Sequence, residues 1–237
     1  MQPKTETAHN RKARAAEILA LLKKRCPAPE SLLTFKNPWE LMVATVLAAQ
    51  CTDARVNQIT PEFFRRWPDA ETLAQATQPE IEKVIHSTGL FRNKAKNLLS
   101  GAKFLLKNYN GKMPENIAEL VKIPGIARKT ANIILWGGFG INEGLAVDTH
   151  VKRIALRLGL TESTDPVKVE RDLMPLFPKP EWGDVNHRLV WFGRDVCQAR
   201  NPHCQDCEML HFCPQRGLTQ AKKPQTTAVE KNGKTIS

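Results

Sequence analysis

A short segment around Lys129 combines residue types that could carry out nucleophilic chemistry. In segment 123–131, a Pro124-Gly125 turn leads directly into a predicted helix, with Lys129 in its first turn. The N–H groups at such a helix start can hold a phosphate, and the helix dipole there favours the uncharged form of an amine. The segment therefore indicates an amine nucleophile acting on a nucleic acid, although short turns of this kind also join ordinary surface helices.

A carboxylate that could assist this chemistry lies in Ala146-Val147-Asp148-Thr149-His150. Asp148 is at the start of a predicted helix, where the ordinary role of an aspartate is to cap the N–H groups. Cleavage of a base–sugar bond develops positive charge on the sugar, which a nearby carboxylate stabilises while accepting a proton from the attacking amine. Asp148 is therefore a candidate catalytic residue as well as a cap.

Four of the six cysteines lie close together in a C-x6-C-x2-C-x5-C pattern, at Cys197, Cys204, Cys207 and Cys213. Four thiolates at this spacing can surround one metal centre. The spacing leaves an iron–sulfur cluster, a zinc ion and free buried cysteines all open. No histidine is assigned to the metal, because four sulfurs complete a tetrahedral set.

The bulk composition favours a polyanionic partner. The chain has 237 residues, 41% of them hydrophobic, and a formal net charge of +11. Nucleic acid is the leading partner for a protein this basic, and a basic protein without such a partner is the alternative. The N-terminus lacks the apolar stretch of a signal peptide, and the longest apolar run, 41–49, is well below the roughly 20 residues of a membrane helix. We therefore expect a cytoplasmic protein with reduced thiols and no membrane association.

The elements that must position these residues are predicted to be helices throughout, which makes the chain all-α with about ten helices. Segment 37–40 predicts an N-cap followed by a helix that is apolar on all sides and buried at a domain centre. Segments 60–62 and 78–80 predict two more helix starts at proline, and 137–140 predicts a break at its glycines. Further helices are predicted over 11–25, 92–108, 115–122, 128–136, 149–158, from 165 onward and over 182–193, with a disordered basic tail at 218–237.

The hairpin with Lys129, the segment Val147-Asp148-Thr149-His150 and the cysteine loop together resemble the endonuclease III family of iron–sulfur, helix-hairpin-helix DNA glycosylases with lyase activity. The resemblance extends over about 11–215. It implies two helical domains that flank a DNA cleft, namely a six-helix barrel with the helix-hairpin-helix at 31–142 and an iron–sulfur cluster domain made of 1–30 and 143–217. It also implies that the four cysteines hold a [4Fe–4S] cluster.

The resemblance implies a role for individual residues as well. Lys129 would be the nucleophile and Asp148 the catalytic aspartate. Gln50 would fill the gap left by an extruded base, and Leu90 would intrude into the opposing stack. The residues expected to contact the DNA backbone are Gly125, Ala127, Arg128 and Arg200, with Arg194 as a further candidate. The family often has glycine in place of Ala127; a positive φ there would cost alanine about 1–2 kcal/mol, and we expect a tolerated variant.

The implied activity is base-excision repair by a monomer acting on double-stranded DNA at the nucleoid. The enzyme would remove oxidised pyrimidines and cleave the strand 3′ to the abasic site by β-elimination, through a Schiff base on Lys129. A monofunctional mismatch or alkylated-base glycosylase of the same fold is the alternative, and a metal-stapled DNA-binding protein without catalysis is a third hypothesis. Lys129 favours the first over the second, and Lys129 with Asp148 favours an enzyme over the third.

Overall fold

The computed structural model describes residues 6–218, and all regular secondary structure in that range is helical. The predicted tail lies outside it except for residue 218. None of the described helices has the length and apolarity needed to cross a bilayer.

The α-helices are α1 (Ala8–Arg25), α2 (Pro38–Leu47), α3 (Asp53–Arg66), α4 (Ala70–Ala74), α5 (Gln78–Ile85), α6 (Phe91–Tyr109), α7 (Ile117–Leu120), α8 (Arg128–Phe139), α9 (Thr149–Arg157), α10 (Pro166–Leu173) and α11 (Trp182–Asp195), with short 3₁₀-helices at His86–Thr88, Lys179–Glu181 and Leu210–Phe212.

Most helices begin where the sequence provides a cap. Seven N-cap side chains accept a hydrogen bond from a helix N–H, which satisfies one of the groups that a helix start leaves unpaired: Thr7, Asn37, Thr52, Asp69, Asn116, Asp148 and Asp165. The predicted start at Asn37 is confirmed, with its Oδ1 2.9 Å from the Glu40 nitrogen. The predicted start near Pro79 is also confirmed, with Thr77 and Glu80 forming a capping box.

The predicted helix start at Thr60-Pro61-Glu62 is wrong, because Pro61 lies inside α3. The true start is at Thr52, whose hydroxyl accepts from the Arg55 nitrogen at 3.3 Å. The buried side chains of α3 keep one helical spacing across the proline, at Val56, Ile59, Thr60 and Phe63. Pro61 itself is exposed, so the proline ring is on the solvent side of a helix that its buried face holds together.

The predicted break at 137–140 is also wrong over most of its length, since α8 continues to Phe139 and ends at Gly140 in the left-handed conformation. A Cβ built on Gly137 would lie 2.9 Å from Cδ2 of Leu41, and one on Gly138 would lie 3.1 Å from Cβ of Pro38. These glycines therefore allow α8 to pack closely against α2, a contact that the local sequence does not reveal.

Within the part of the chain that the structure describes, buried apolar side chains form two clusters. The first extends from Trp39 to Leu135 and is centred on α2, where 41–44 and Leu47 are at most 1% exposed, which confirms the prediction of a helix buried on all sides. The second combines α1 with residues 145–209. Arg128 on α8 and Glu170 on α10 form an ion pair between the two sets of helices. The candidate site described next lies where these sets of helices meet.

Candidate active site

The hairpin turn between α7 and α8 is fixed by buried side chains on both sides of its tip. Ile123 and Ile126 are 2% and 5% exposed, and the Ile126 N–H donates to the Ile123 carbonyl at 3.0 Å. Gly125 lies between them with φ of +87°, and a Cβ built on it would be 2.8 Å from Cβ of Asn97. Both its conformation and its surroundings require glycine here, so the turn fixes the direction in which α8 begins.

Helix α8 begins without a side-chain cap. Its N-cap is Ala127, and its first turn closes with the Ala131 N–H donating to the Ala127 carbonyl at 2.9 Å. Within residues 6–218, the N–H groups of 128–130 have no hydrogen-bond partner, which is the arrangement that binds an anion at a helix start. Ala127 has φ of −85°, so alanine is free of left-handed strain at a position where the family often has glycine.

Arg128 is paired with a carboxylate. Its Nε and Nη2 donate to Oε2 and Oε1 of Glu170 at 2.6 and 3.1 Å, and Nδ2 of Asn132 donates to the same Oε1 at 3.0 Å. The Glu170 side chain is 6% exposed and that of Arg128 is 44% exposed. This two-point contact fixes α8 against α10. The guanidinium therefore meets Glu170 in this structure, where the sequence predicts a DNA phosphate.

The Lys129 side chain is exposed in the first turn of α8. Asn132 and Trp136 follow three and seven positions later, on the same side of the helix. A Cβ built on Gly144 would lie 2.8 Å from Nδ2 of Asn132, and the Trp136 ring packs 4.4 Å, centroid to centroid, from that of His187 on α11. The side of α8 that carries Lys129 therefore packs against the segment that leads to Asp148.

Asp148 is the N-cap of α9, and its Oδ1 accepts from the Val151 nitrogen at 2.8 Å. The residues before it are buried, and Nδ2 of Asn186 donates to the Ala146 carbonyl at 2.7 Å, so the backbone leading to the cap is held in place. Oδ2 of Asp148 accepts no hydrogen bond within the described part of the chain. One carboxylate oxygen is thus used for capping and the other remains available.

Two histidines lie within the electrostatic reach of Asp148. Burial lowers the pKa of His187, and the charges of Asp184 and Asp148 oppose this shift. Burial also lowers the pKa of His150, again against the charge of Asp148. Because His187 packs on Trp136 of α8, it connects the surroundings of Asp148 to the side of α8 that carries Lys129. Burial therefore favours the neutral form of both imidazoles.

Gln50 and Leu90 both have left-handed backbones, with φ of 53° and 46°. Both are exposed, Leu90 to 52%. A Cβ built on Gly89 would lie 3.8 Å from the Gln50 carbonyl oxygen, so the two segments are in contact. Residues other than glycine adopt this conformation at a cost and are typical of functional positions. The structure thus brings together the two residues predicted to enter the DNA stack.

The four cysteines line a single cavity, whose total empty space including its opening is about 380 Å³. Burial raises the pKa of the Cys204, Cys207 and Cys213 thiols. In residues 6–218, no three side chains of His, Cys, Asp or Glu already stand at metal-binding distances. The convergence of four sulfur donors on one cavity nevertheless provides the ligand set that the sequence predicts.

Arg157, at the end of α9, is buried under the cysteine loop and holds it through hydrogen bonds. It is 7% exposed and donates to Sγ of Cys197 at 3.4 Å and to the carbonyls of Gln198 and Ala199 at 2.6 and 3.0 Å. A buried guanidinium beside a thiol balances the negative charge that a thiolate-bound metal centre brings. The donor set and its charge environment therefore fit an iron–sulfur cluster.

The remaining predicted DNA contacts lie on exposed surface. Arg200 is exposed in the cysteine loop, next to Asn201, which has a left-handed backbone with φ of 51°. Arg194, at the end of α11, donates to Oδ2 of Asp53 at 2.8 Å. The sequence interpretation missed four buried charged residues with evident structural roles: Lys94, Arg157, Glu170 and Arg188, the last of which donates to the Cys26 carbonyl at 3.0 Å. Their signal is a charge inside a helical apolar pattern, which is visible at Lys94 between Phe91 and Leu98.

Comparison with known proteins supports the interpretation of this site as one that acts on DNA. Residues 43–179 match the model of the HhH-GPD superfamily base excision DNA repair protein. Endonuclease III of Synechocystis sp. is 50% identical over 205 residues, which are 86% of this chain and 94% of that protein. The chain belongs to the Endonuclease III family. Among solved structures, a non-covalent Endonuclease III–DNA complex matches with a TM-score of 0.82 and 39% identity over 86% of this chain and 95% of its own.

A trapped covalent intermediate of Endonuclease III with DNA, the estranged-adenine complex, matches equally well, with a TM-score of 0.82 and 39% identity over 86% of this chain and 96% of its own. As a member of the Endonuclease III family, the chain is a DNA-binding enzyme of base excision repair, with DNA glycosylase and AP lyase activity. The all-helical fold predicted from sequence is confirmed as the Endonuclease III fold.

Proposed function

We propose that this enzyme removes oxidised pyrimidines from duplex DNA and cleaves the strand 3′ to the resulting abasic site, with Lys129 as the nucleophile. The observation that carries the proposal is the exposed amine of Lys129 at an uncapped helix start, on the side of α8 that packs against the segment leading to Asp148. Attack on a sugar carbon needs the uncharged form of the amine.

The chemistry needs Lys129 as the nucleophile, Asp148 as a proton acceptor, and water. The lone pair of Lys129 Nζ bonds to C1′, the C1′–N bond to the base breaks, and the base departs with the bonding pair and takes up a proton. Opening of the sugar at the C1′–O4′ bond gives an iminium with Nζ, which acidifies C2′. Loss of the C2′ proton then expels the 3′ phosphate as the C3′–O bond breaks, leaving an unsaturated imine on Lys129. Water adds to this imine and the C1′–Nζ bond breaks, which releases an unsaturated aldehyde and restores the amine.

Asp148 assists the first of these steps. Its free carboxylate oxygen stabilises the positive charge that develops on the sugar and accepts a proton from the amine as Nζ bonds to C1′. The Val151 N–H in the first turn of α9 binds its other oxygen at 2.8 Å. The cap thus fixes the orientation of a group whose charge acts on the substrate.

Access to C1′ requires the nucleotide to leave the stack. Leu90 would enter the stack and Gln50 would occupy the space of the departed base, which offsets the few kcal/mol that unstacking costs. Their shared left-handed backbone and their exposure support this role. The unpaired N–H groups at the start of α8, which follow Gly125 and Ala127, would bind phosphates together with Arg200, and Arg128 would orient the hairpin through Glu170.

Replacing Leu90 with asparagine should separate stability from activity. Asparagine tolerates the left-handed conformation, so the free energy of unfolding should be unchanged or higher by up to about 1 kcal/mol. Cleavage of duplex DNA should slow by about tenfold or more, since opening a base step costs a few kcal/mol. Denaturant unfolding and single-turnover cleavage measure the two effects.

Leu106→Asn, at an exposed leucine of α6, is the control and should leave cleavage unchanged. A Leu90→Asn protein that is less stable than wild type but cleaves normally would contradict both the backbone strain at Leu90 and its role in entering the DNA stack.

We further propose the domain division given by the sequence, with a barrel domain at 31–142 and a cluster domain made of 1–30 and 143–217. The two separate clusters of buried side chains support it. The cysteines Cys197, Cys204, Cys207 and Cys213 would hold a [4Fe–4S] cluster that ties the C-terminal loop to α9. A monomeric enzyme acting at the nucleoid in the cytoplasm completes the proposal.

The cluster makes a direct analytical prediction. The purified protein should be brown and contain about four iron and four sulfide per chain, and Cys204→Ala should lose both together with the visible absorbance. Cys51→Ala, which changes a cysteine outside the cavity, should retain them. A colourless protein containing zinc would show that the same donor set holds a different metal.

The lesion class is tested with matched duplexes. The wild-type enzyme should release an oxidised thymine and form a borohydride-trapped adduct on that strand, and it should act far more slowly on a G·T mismatch and on alkylated purines. Release of mismatched thymine without any trapped adduct would instead establish the monofunctional alternative. Tight DNA binding with no base release on any duplex would establish a non-catalytic protein.

A further inference from the structure

Lys94 is a buried lysine that the proposed chemistry does not use. It lies in the first turn of α6 and is 4% exposed. Burial lowers the pKa of its ammonium group, and a buried charge is unfavourable unless polar partners compensate. Its Nζ donates to the carbonyl oxygens of Leu47 at 2.8 Å and of Thr88 at 2.6 Å, which identifies the partners.

The two carbonyls belong to the segments that carry the stack-entering residues. Leu47 is the last residue of α2, three positions before Gln50, and Thr88 ends a 3₁₀-helix two positions before Leu90. The Cys51 N–H bonds to the Ala48 carbonyl, and in residues 6–218 neither the Leu47 nor the Thr88 carbonyl accepts any other hydrogen bond. A positive charge is also favourable at the C-terminal end of α2. One ammonium group therefore ties both segments together.

Both segments need such a restraint. Gln50 and Leu90 have left-handed backbones, and conformations of this kind persist only where the surroundings hold them. The segments touch at Gly89 and the Gln50 carbonyl, so a shift of one moves the other. An apolar side chain at position 94 would leave both carbonyls buried and unpaired, and the segments would move to hydrate them.

We propose that Lys94 is a positioning residue that sets Gln50 and Leu90 relative to each other, so that both can enter the DNA stack when a nucleotide is extruded. It is not a catalytic residue, because its ammonium group is inside the protein. The inference rests on the proposed roles of Gln50 and Leu90. Lys94 should therefore matter where DNA must be unstacked and should matter little where the stack is already open.

The test compares two substrates that differ in this respect, an abasic site in a continuous duplex and the same site within a three-nucleotide bubble between duplex arms. Lys94→Met should cleave the duplex site about 10- to 100-fold more slowly than wild type, the range expected when groups shift by about 1 Å, and should cleave the bubble site at nearly the wild-type rate. Lys103→Met, at an exposed lysine of the same helix, should match wild type on both. If Lys94→Met does not fold, Lys94→Gln, which keeps two donors, is measured in its place.

Equal losses on duplex and bubble would show a general structural defect and overturn the inference, as would a Lys94 variant as fast as Lys103→Met on the duplex. The double variant Lys94→Met/Leu90→Ala adds a second criterion. If Lys94 acts through Leu90, the double variant should be little slower on the duplex than Leu90→Ala alone, whereas multiplied losses would contradict it. Failure of the proposed function looks different, because wild type would then form no trapped adduct, or Leu90→Ala would cleave the duplex normally.

Discussion

Lys129→Gln is expected to reduce strand cleavage at an abasic site by at least about a thousandfold, because it removes the amine that we propose forms the covalent intermediate. Borohydride should trap no adduct with this variant. Its affinity for duplex DNA should remain close to that of wild type, since the N–H groups of α8 and the rest of the hairpin are unchanged. The measurements are single-turnover cleavage, borohydride trapping and a binding titration at fixed salt concentration.

Lys122→Gln is the matched control for this variant. Lys122 precedes the same hairpin turn, is exposed and pairs with Glu119 at 2.8 Å. The Lys122→Gln substitution removes the same charge from the same surface as Lys129→Gln. Exposed ion pairs of this kind contribute little to stability. It should cleave and be trapped like wild type. A trapped adduct on Lys129→Gln in wild-type yield would mean that another amine performs the attack.

Asp148→Asn is expected to slow base release by about a hundredfold or more with little change in stability. Asparagine caps a helix as well as aspartate does, so the free energy of unfolding should stay within about 0.5 kcal/mol of wild type. The substitution removes the carboxylate that we propose stabilises the sugar cation and accepts the proton. Rates of base release and denaturant midpoints for the same preparation measure both quantities.

Two further variants separate capping from catalysis. Asp148→Ala should show the same kinetic loss and an additional destabilisation of about 1 kcal/mol, since alanine provides no cap. Asp165→Asn changes the equivalent cap of α10, whose side chain accepts from the Lys168 nitrogen at 2.9 Å, and should alter neither quantity. If Asp148→Asn released bases at the wild-type rate, Asp148 would be a cap alone.

The sequence predicted the features that are determined locally. The start of α2 follows from Asn37-Pro38 and Glu40, because a cap and a first-turn proline act within one helical turn. The same local signal misled at Pro61, where a proline on the exposed side of α3 resembles a helix start. Lys129 and Asp148 could be proposed as site residues from sequence because each lies in a short motif that is contiguous in the chain; their roles stay predictions.

Features that depend on distant parts of the chain could not be predicted. Gly137 and Gly138 signal a loop when read alone, whereas their role is the close contact with Leu41 and Pro38. The pairing of Arg128 with Glu170 joins residues 42 positions apart, and nothing local to Arg128 distinguishes a carboxylate partner from a phosphate. The contact of the Gln50 and Leu90 segments likewise arises from packing between α2 and α6.

Helix α9 couples the cysteine loop to the position of Asp148. Asp148 caps one end of this nine-residue helix, and Arg157, at the other end, holds the cysteine loop, about 13 Å away at 1.5 Å per residue. A displacement of the loop at Arg157 would therefore shift the Asp148 carboxylate as well, so the geometry of the proposed site depends on that of the loop.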